Sequence, residues 1–219
     1  MPDHSLILEA LRAIADPQKA PHMKAYMKNQ FEYLGVQTLP RRQATLSSLP
    51  RHNSGDEIDW AFVETCWADP HREFQYVALD YLGRNQNIMD PSHVPLLKKL
   101  ILDKSWWDTV DGIVHMVGAI VQKYPELNAL MVAWSLDDNM WIRRTAIEHQ
   151  LSQKDKTDTD LLEVILVNNF GSKEFFINKA IGWALRDYSW TNPGWVRDFI
   201  ERHRSQLAPL SIREGGKYA

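Results

Sequence analysis

Trp107 and Asp111 stand four residues apart, a spacing that puts one aromatic ring and one carboxylate on the same face of a helix. Together such groups can stabilise positive charge. An acid at that spacing can equally be a solvated or salt-bridged carboxylate, and the spacing alone leaves both readings open. Further along, Phe175 and Trp183 share a helical face with Lys179. The cations Arg41, Arg42, Lys104, Arg143, Arg144, Lys173, Lys179 and Arg186 read equally as surface charges, but several recur near expected helix starts, where the helix N-terminus adds partial positive charge and suits contact with phosphate. His115 and His149, 34 residues apart, suggest packing or phosphate contact more than metal ligation, because no third ligand sits at a recognisable spacing. Neither a metal nor a cofactor is expected. Gly-x-Ser-x-Gly, His-Glu-x-x-His, the dinucleotide-binding glycines and the zinc-deaminase pattern are all missing, and Gly216-Lys217 has Ser211 where a P-loop needs its first glycine.

The elements that must position these residues repeat. A small residue recurs at Ala44, Ala78, Gly112, Ala146 and Ala180, each followed by Thr45, Leu79, Ile113, Ile147 or Ile181, at a constant period of 34 residues. Helix-start signals lie between these anchors at Asp69-Pro70, Asp90-Pro91, Asp137-Asp138, Ser172 and Asn192-Pro193. Strand signals are almost absent. The pattern predicts about two helices per repeat in an all-α solenoid, one domain over 1–219 with repeats clearest from 38 to 190. On the helical wheel the core stripe reads Phe74, Ala78, Leu79, Leu82; Gly112, Ile113, Met116, Val117; Ile142, Ala146, Ile147, Leu151; and Phe176, Ala180, Ile181, Leu185. The opposite columns hold Glu73, Tyr76, Val77, Tyr81; Trp107, Val110, Asp111, His115; Trp141, Arg144, Thr145, His149; and Phe175, Asn178, Lys179, Trp183. Stacking would line these up as a concave surface of rings interleaved with charges.

Composition narrows the function classes. With 25 Lys plus Arg against 28 Asp plus Glu the net charge is −3, which argues against nucleic-acid binding through overall basicity and leaves room for a local basic face. Cys66 is the single thiol, so neither an internal disulfide nor a Cys-x-x-Cys site is available. The apolar stretch from Gly112 to Gln122, interrupted by His115, is too short for the roughly 18 to 20 residues of a membrane span. Asp3, Glu9 and Arg12 interrupt the opening segment, which does not read as a secretory signal, so the expected compartment is the cytoplasm.

Lys104-Ser-Trp-Trp-Asp-Thr-Val-Asp111 resembles the bacterial DNA alkylation repair family of HEAT-like repeat glycosylases, the AlkD type. Tyr26-Met-Lys-Asn29, Phe31, Leu34-Gly35, Arg41-Arg42, Arg72-Glu-Phe-Gln75, Trp141-Ile-Arg-Arg144, Ser172 to Ile177, Lys179 to Trp183 and Leu207 to Ser211 agree with it, over residues 20 to 213. One departure is Ile212, where the family carries a basic residue. The resemblance implies excision of N3- and N7-alkylated purines from double-stranded DNA by a monomeric bacterial enzyme, nucleoid-associated when bound to DNA, without base flipping. It places the catalytic aspartate on Asp111, the sugar-facing tryptophans on Trp107 and Trp183, and the backbone-contacting arginine on Arg144. Tyr26, Phe175 and Phe176 would belong to the same surface. The alternatives are a non-catalytic DNA-binding relative that recognises bent or branched duplexes, and a protein-interaction scaffold of the tetratricopeptide kind.

Overall fold

The computed structural model describes residues 2–219. They form two compact units, the first ending at Met89 and the second beginning at Asp90. The first holds α1 (His4–Ala13), α2 (Ala20–Tyr26), α3 (Thr38–Thr45), α4 (Trp60–Ala68) and α5 (Arg72–Arg84). The second holds α6 (Val94–Leu102), α7 (Trp107–Lys123), α8 (Asn128–Trp134), α9 (Met140–Glu148), α10 (Thr159–Val167), α11 (Phe175–Ser189), α12 (Pro193–Arg202) and α13 (Pro209–Gly215). Among the described residues there is no strand, only an isolated bridge between Glu32 and His71.

The small-residue anchors fall in α3, α5, α7, α9 and α11, every second helix, so each period supplies two helices as the spacing predicts. Hydrogen bonds between neighbouring repeats of the second unit carry the same period. Asn169 Nδ2 donates to Ser135 O across 34 positions and Ser211 Oγ to Asn178 O across 33. Asp59, Asn139, Asp158 and Asn192 each accept a backbone N–H in the first turn of α4, α9, α10 and α12, satisfying a donor that helix geometry leaves open. Three of the expected start signals act just ahead of the cap. Asp69, Asp137 and Ser172 accept from the backbone of His71, Asn139 and Glu174, and it is those later residues that cap α5, α9 and α11.

Most of the core stripe lies where the wheel puts it, with Phe74, Ala78, Leu82, Ile113, Met116, Val117, Ile142, Ala146, Ile147, Ala180, Ile181 and Leu185 buried, while Leu79, Gly112, Leu151 and Phe176 are half-buried. The opposite columns differ from the expectation. Glu73, Val77, Tyr81, Val110, Trp141, Arg144, Thr145 and His149 are buried as well. The reason is the stack itself. In the second unit α9 packs against α7 on one flank and α11 on the other, while α6, α8 and α10 cover it from the second layer. A wheel gives the direction of a side chain and not the number of neighbours that its helix acquires.

Two glycines set the closest approaches. A Cβ at Gly118 would lie 2.0 Å from the His149 carbonyl oxygen, so only glycine lets α7 and α9 come together there. At Gly35, in the left-handed region with φ +86°, a Cβ would meet Asp16 O at 2.0 Å. The turn at Gly35 aims the N–H groups of Leu34, Gly35 and Val36 at the carboxylate of Glu73, which explains a fully buried acid on α5.

Candidate active site

The chain leaves α6 through Lys104, whose φ of 49° turns it sharply, and passes through extended Trp106 into Trp107, the first residue of α7. One turn later Asp111 points across to α9, its side chain 25% exposed. The facing residue is Arg144, 1% exposed. Its Nε donates to Asp111 Oδ1 at 2.8 Å and its Nη2 to Oδ2 at 2.9 Å, a bidentate pair that fixes the plane of the carboxylate. Nη1 donates to the Phe176 carbonyl of α11 at 2.8 Å. Glu148, one turn further along α9, brings Oε1 to 2.9 Å from Nη2.

α11 supplies the aromatic component. The Arg144 guanidinium carbon lies 5.3 Å from the centre of the Trp183 ring, with Lys179 Nζ at 5.7 Å and the Arg186 guanidinium carbon at 5.8 Å. Glu214 of α13 pairs with Lys179 at 2.9 Å and with Arg186 at 2.8 Å, which balances their charge and fixes them along the ring. Gly182 makes room for this contact, since a Cβ there would meet Glu214 Cβ at 2.6 Å. The Trp183 Nε1 is buried without a hydrogen-bond acceptor.

An aromatic cluster joins the starts of α7, α9 and α11. Trp106 contacts Trp141 and Phe176 at centroid distances of 5.8 and 5.3 Å, Trp141 contacts Phe176 at 5.0 Å, and Phe176 meets the 60% exposed Phe175 at 5.3 Å. These rings hold the start of α11 against the starts of α7 and α9, and with it the carbonyl that receives Arg144.

The second unit therefore brings together Asp111, Arg144, Trp183, Lys179 and Phe176, with Trp107 one turn from Asp111 on the same helix. Arg143 is spent on the loop before α9, donating to the carbonyls of Asp137 at 2.7 Å and Asp138 at 3.0 Å. Lys173 is exposed ahead of α11 and Lys104 is half-buried at its turn. In the first unit Tyr26 is exposed at the end of α2, while Arg41 and Arg42 both hold Asp80, at 3.1 and 2.8 Å. Arg144 and Arg41, read from the sequence as phosphate contacts, are each buried and paired with a carboxylate within their own unit. His149 is also buried, its Nδ1 2.7 Å from Ala146 O, and burial holds its pKa down to about 4. His115 is exposed.

Sequence reasoning gave no role to Glu148 or Trp106. Glu148 follows Arg144 at a four-residue spacing and could have been noticed as an ion-pair partner. Trp106 had only its place beside Trp107 to mark it.

Stacked helix pairs of HEAT-like type, carrying a carboxylate locked to a buried guanidinium beside an indole, define a helical-repeat protein with an acid–arginine–tryptophan site. The family model for DNA alkylation repair enzymes matches residues 7–219, and the chain belongs to that family. A solved structure of a predicted DNA alkylation repair enzyme from Enterococcus faecalis is similar, with a TM-score of 0.84 and 34% identity over 93% of this chain and 96% of that one. No curated protein matches. Among the described residues no helix is long and apolar enough to cross a membrane.

Proposed function

We propose that this family member is a monofunctional DNA glycosylase that hydrolyses the N-glycosidic bond of N3- and N7-alkylated purines in duplex DNA. The observation that carries the reading is the part-exposed Asp111 carboxylate, clamped bidentately by buried Arg144 next to the Trp183 ring. A surface acid with no task would gain little from such a holder.

Alkylation at N3 or N7 leaves the purine with a formal positive charge. The glycosidic electron pair departs with the base, which leaves neutral, so the leaving group requires no general acid. Positive charge then grows on the deoxyribose, where the fixed Asp111 carboxylate stabilises it and accepts the proton of the water that adds to C1′. Trp107 and Trp183 offer electron-rich faces to the same cation, each contributing about 0.5 to 2 kcal/mol. Since about 1.36 kcal/mol is a tenfold change in rate, an acid and two rings accelerate an already labile bond without a deep pocket, which fits excision from a stacked base. Arg144 orients the acid, and the phosphate backbone is left to exposed cations such as Lys173. The test is release of 3-methyladenine or 7-methylguanine from methylated duplex. A protein that binds this DNA and releases neither base is not a glycosylase for these lesions.

A further inference from the structure

A single nitrogen of Arg144 serves two acids. Nη2 donates to Asp111 Oδ2 at 2.9 Å and stands 2.9 Å from Glu148 Oε1, so the guanidinium lies between a part-exposed carboxylate and a sealed one. Glu148 is 1% exposed, and neither of its oxygens receives an aligned hydrogen bond. A buried acid without such bonds costs stability, and fixing Arg144 in place needs only the Asp111 pair and the Phe176 carbonyl. The bidentate pair also has a drawback for the proposed chemistry. A carboxylate neutralised by its own guanidinium presents little net charge to a cationic sugar.

We propose that Glu148 is a positioning residue for the excision reaction: once ionised, it takes up the charge of Arg144, so that Asp111 faces the sugar as an uncompensated carboxylate. This role rests on the reading of Asp111 given above. Burial pushes the Glu148 carboxyl well above the usual carboxylate range, Arg144 pulls against that rise, and Asp111 adds to it. With Glu148 protonated the three side chains are neutral overall. With Glu148 ionised they carry one net negative charge, and the proton leaves to bulk water past the part-exposed Asp111.

The charged groups around Glu148 leave this ionisation to the trio. On its own helix stand Arg144 and Arg143, the latter held by the carbonyls of Asp137 and Asp138, and just past its end His149, whose pKa burial lowers to about 4. Asp111 comes from α7, with Asp108 and His115 one turn to either side. α11 brings Lys179 and Arg186, both paired with Glu214 of α13. On α6 are Lys98, paired with Asp137, and Lys99; on α10 are Asp160 and Glu163, the latter paired with Arg202. α8 carries no charged residue.

The test is single-turnover base release from methylated duplex as a function of pH, for the wild type, Glu148→Gln and Glu148→Asp. The wild-type rate should rise with pH through an ionisation above the carboxylate range. Glu148→Gln should give a flat profile at the wild type's low-pH level, roughly tenfold or more below its high-pH plateau, with unchanged affinity for undamaged duplex. Glu148→Asp, which keeps the charge and shortens the reach, should retain the rising limb with a lower plateau, a rescue that a packing role would not give. Variants that both follow the wild-type profile would overturn the role of Glu148 while leaving Asp111-dependent excision intact. A wild type that releases no base would remove the glycosylase reading, and this role with it.

Discussion

Replacing Arg144 with alanine should cost the fold about 3 to 5 kcal/mol, the usual range for breaking a buried ion pair from one side. The structure gives the reasons. Truncation removes two charge-assisted hydrogen bonds to Asp111, at 2.8 and 2.9 Å, and one to the Phe176 carbonyl at 2.8 Å, and it leaves Glu148 sealed with no counter-charge. Each bond to a charged group contributes about 1.5 to 3 kcal/mol in isolation, but the sum is moderated because part-exposed Asp111 regains water and burial favours the neutral form of Glu148. Against a total stability of about 5 to 15 kcal/mol this is a large loss, and urea unfolding at neutral pH, with its slope checked, should report it. Arg144→Lys keeps a charge but cannot make the bidentate contact, and should lose less while still slowing base release. Because the guanidinium is 1% exposed, the salt dependence of affinity for undamaged duplex should keep its wild-type slope in either variant. An Arg144→Ala protein within about 1 kcal/mol of the wild type, with a salt slope shallower by about one, would refute this reasoning and return Arg144 to phosphate contact.

Other positions give independent checks. Gly118→Ala places a methyl group 2.0 Å from the His149 carbonyl oxygen, so α7 and α9 must part; a stability loss of about 1 to 3 kcal/mol together with slower base release is expected, and unchanged melting would contradict the packing. His149 is neutral when folded because burial lowers its pKa from 6.5 to about 4, so the unfolded chain takes up the proton first as pH falls. Its contribution is intact above about pH 6.5 and fades down to about pH 4, by about 3 kcal/mol in all, so the wild type should lose stability across that window relative to His149→Gln; parallel curves would count against it. Trp183→Phe keeps a ring with a weaker π-face, and base release should slow about threefold to tenfold with duplex affinity retained; an equal rate would separate Trp183 from the chemistry.

Much of the architecture is legible because it is written locally. The small-then-branched pair recurs every 34 residues because every second helix returns it to the same place in the repeat, and the capping side chains lie within two or three residues of the N–H groups they satisfy. The site is legible in part for the same reason, with Trp107 and Asp111 one turn apart on α7. What pairs with Asp111 is not local. Arg144 lies 33 positions away, and its burial depends on α7 and α11 closing on both flanks of α9, which no wheel of a single helix reports. That covering turned Thr145 from expected surface into core, and on α5 the packing of α3 and α4 did the same to Val77 and Tyr81. Glu73 was hidden differently, because its partners are three backbone N–H groups created by the turn at Gly35.

The most direct test of the central claim is release of free base from duplex methylated in vitro, comparing the wild type with Asp111→Asn, which keeps the shape of the side chain and removes its charge. The account predicts release of 3-methyladenine or 7-methylguanine by the wild type, and release slowed by at least about tenfold in the variant while both bind undamaged duplex equally. Equal release by the two proteins would contradict it.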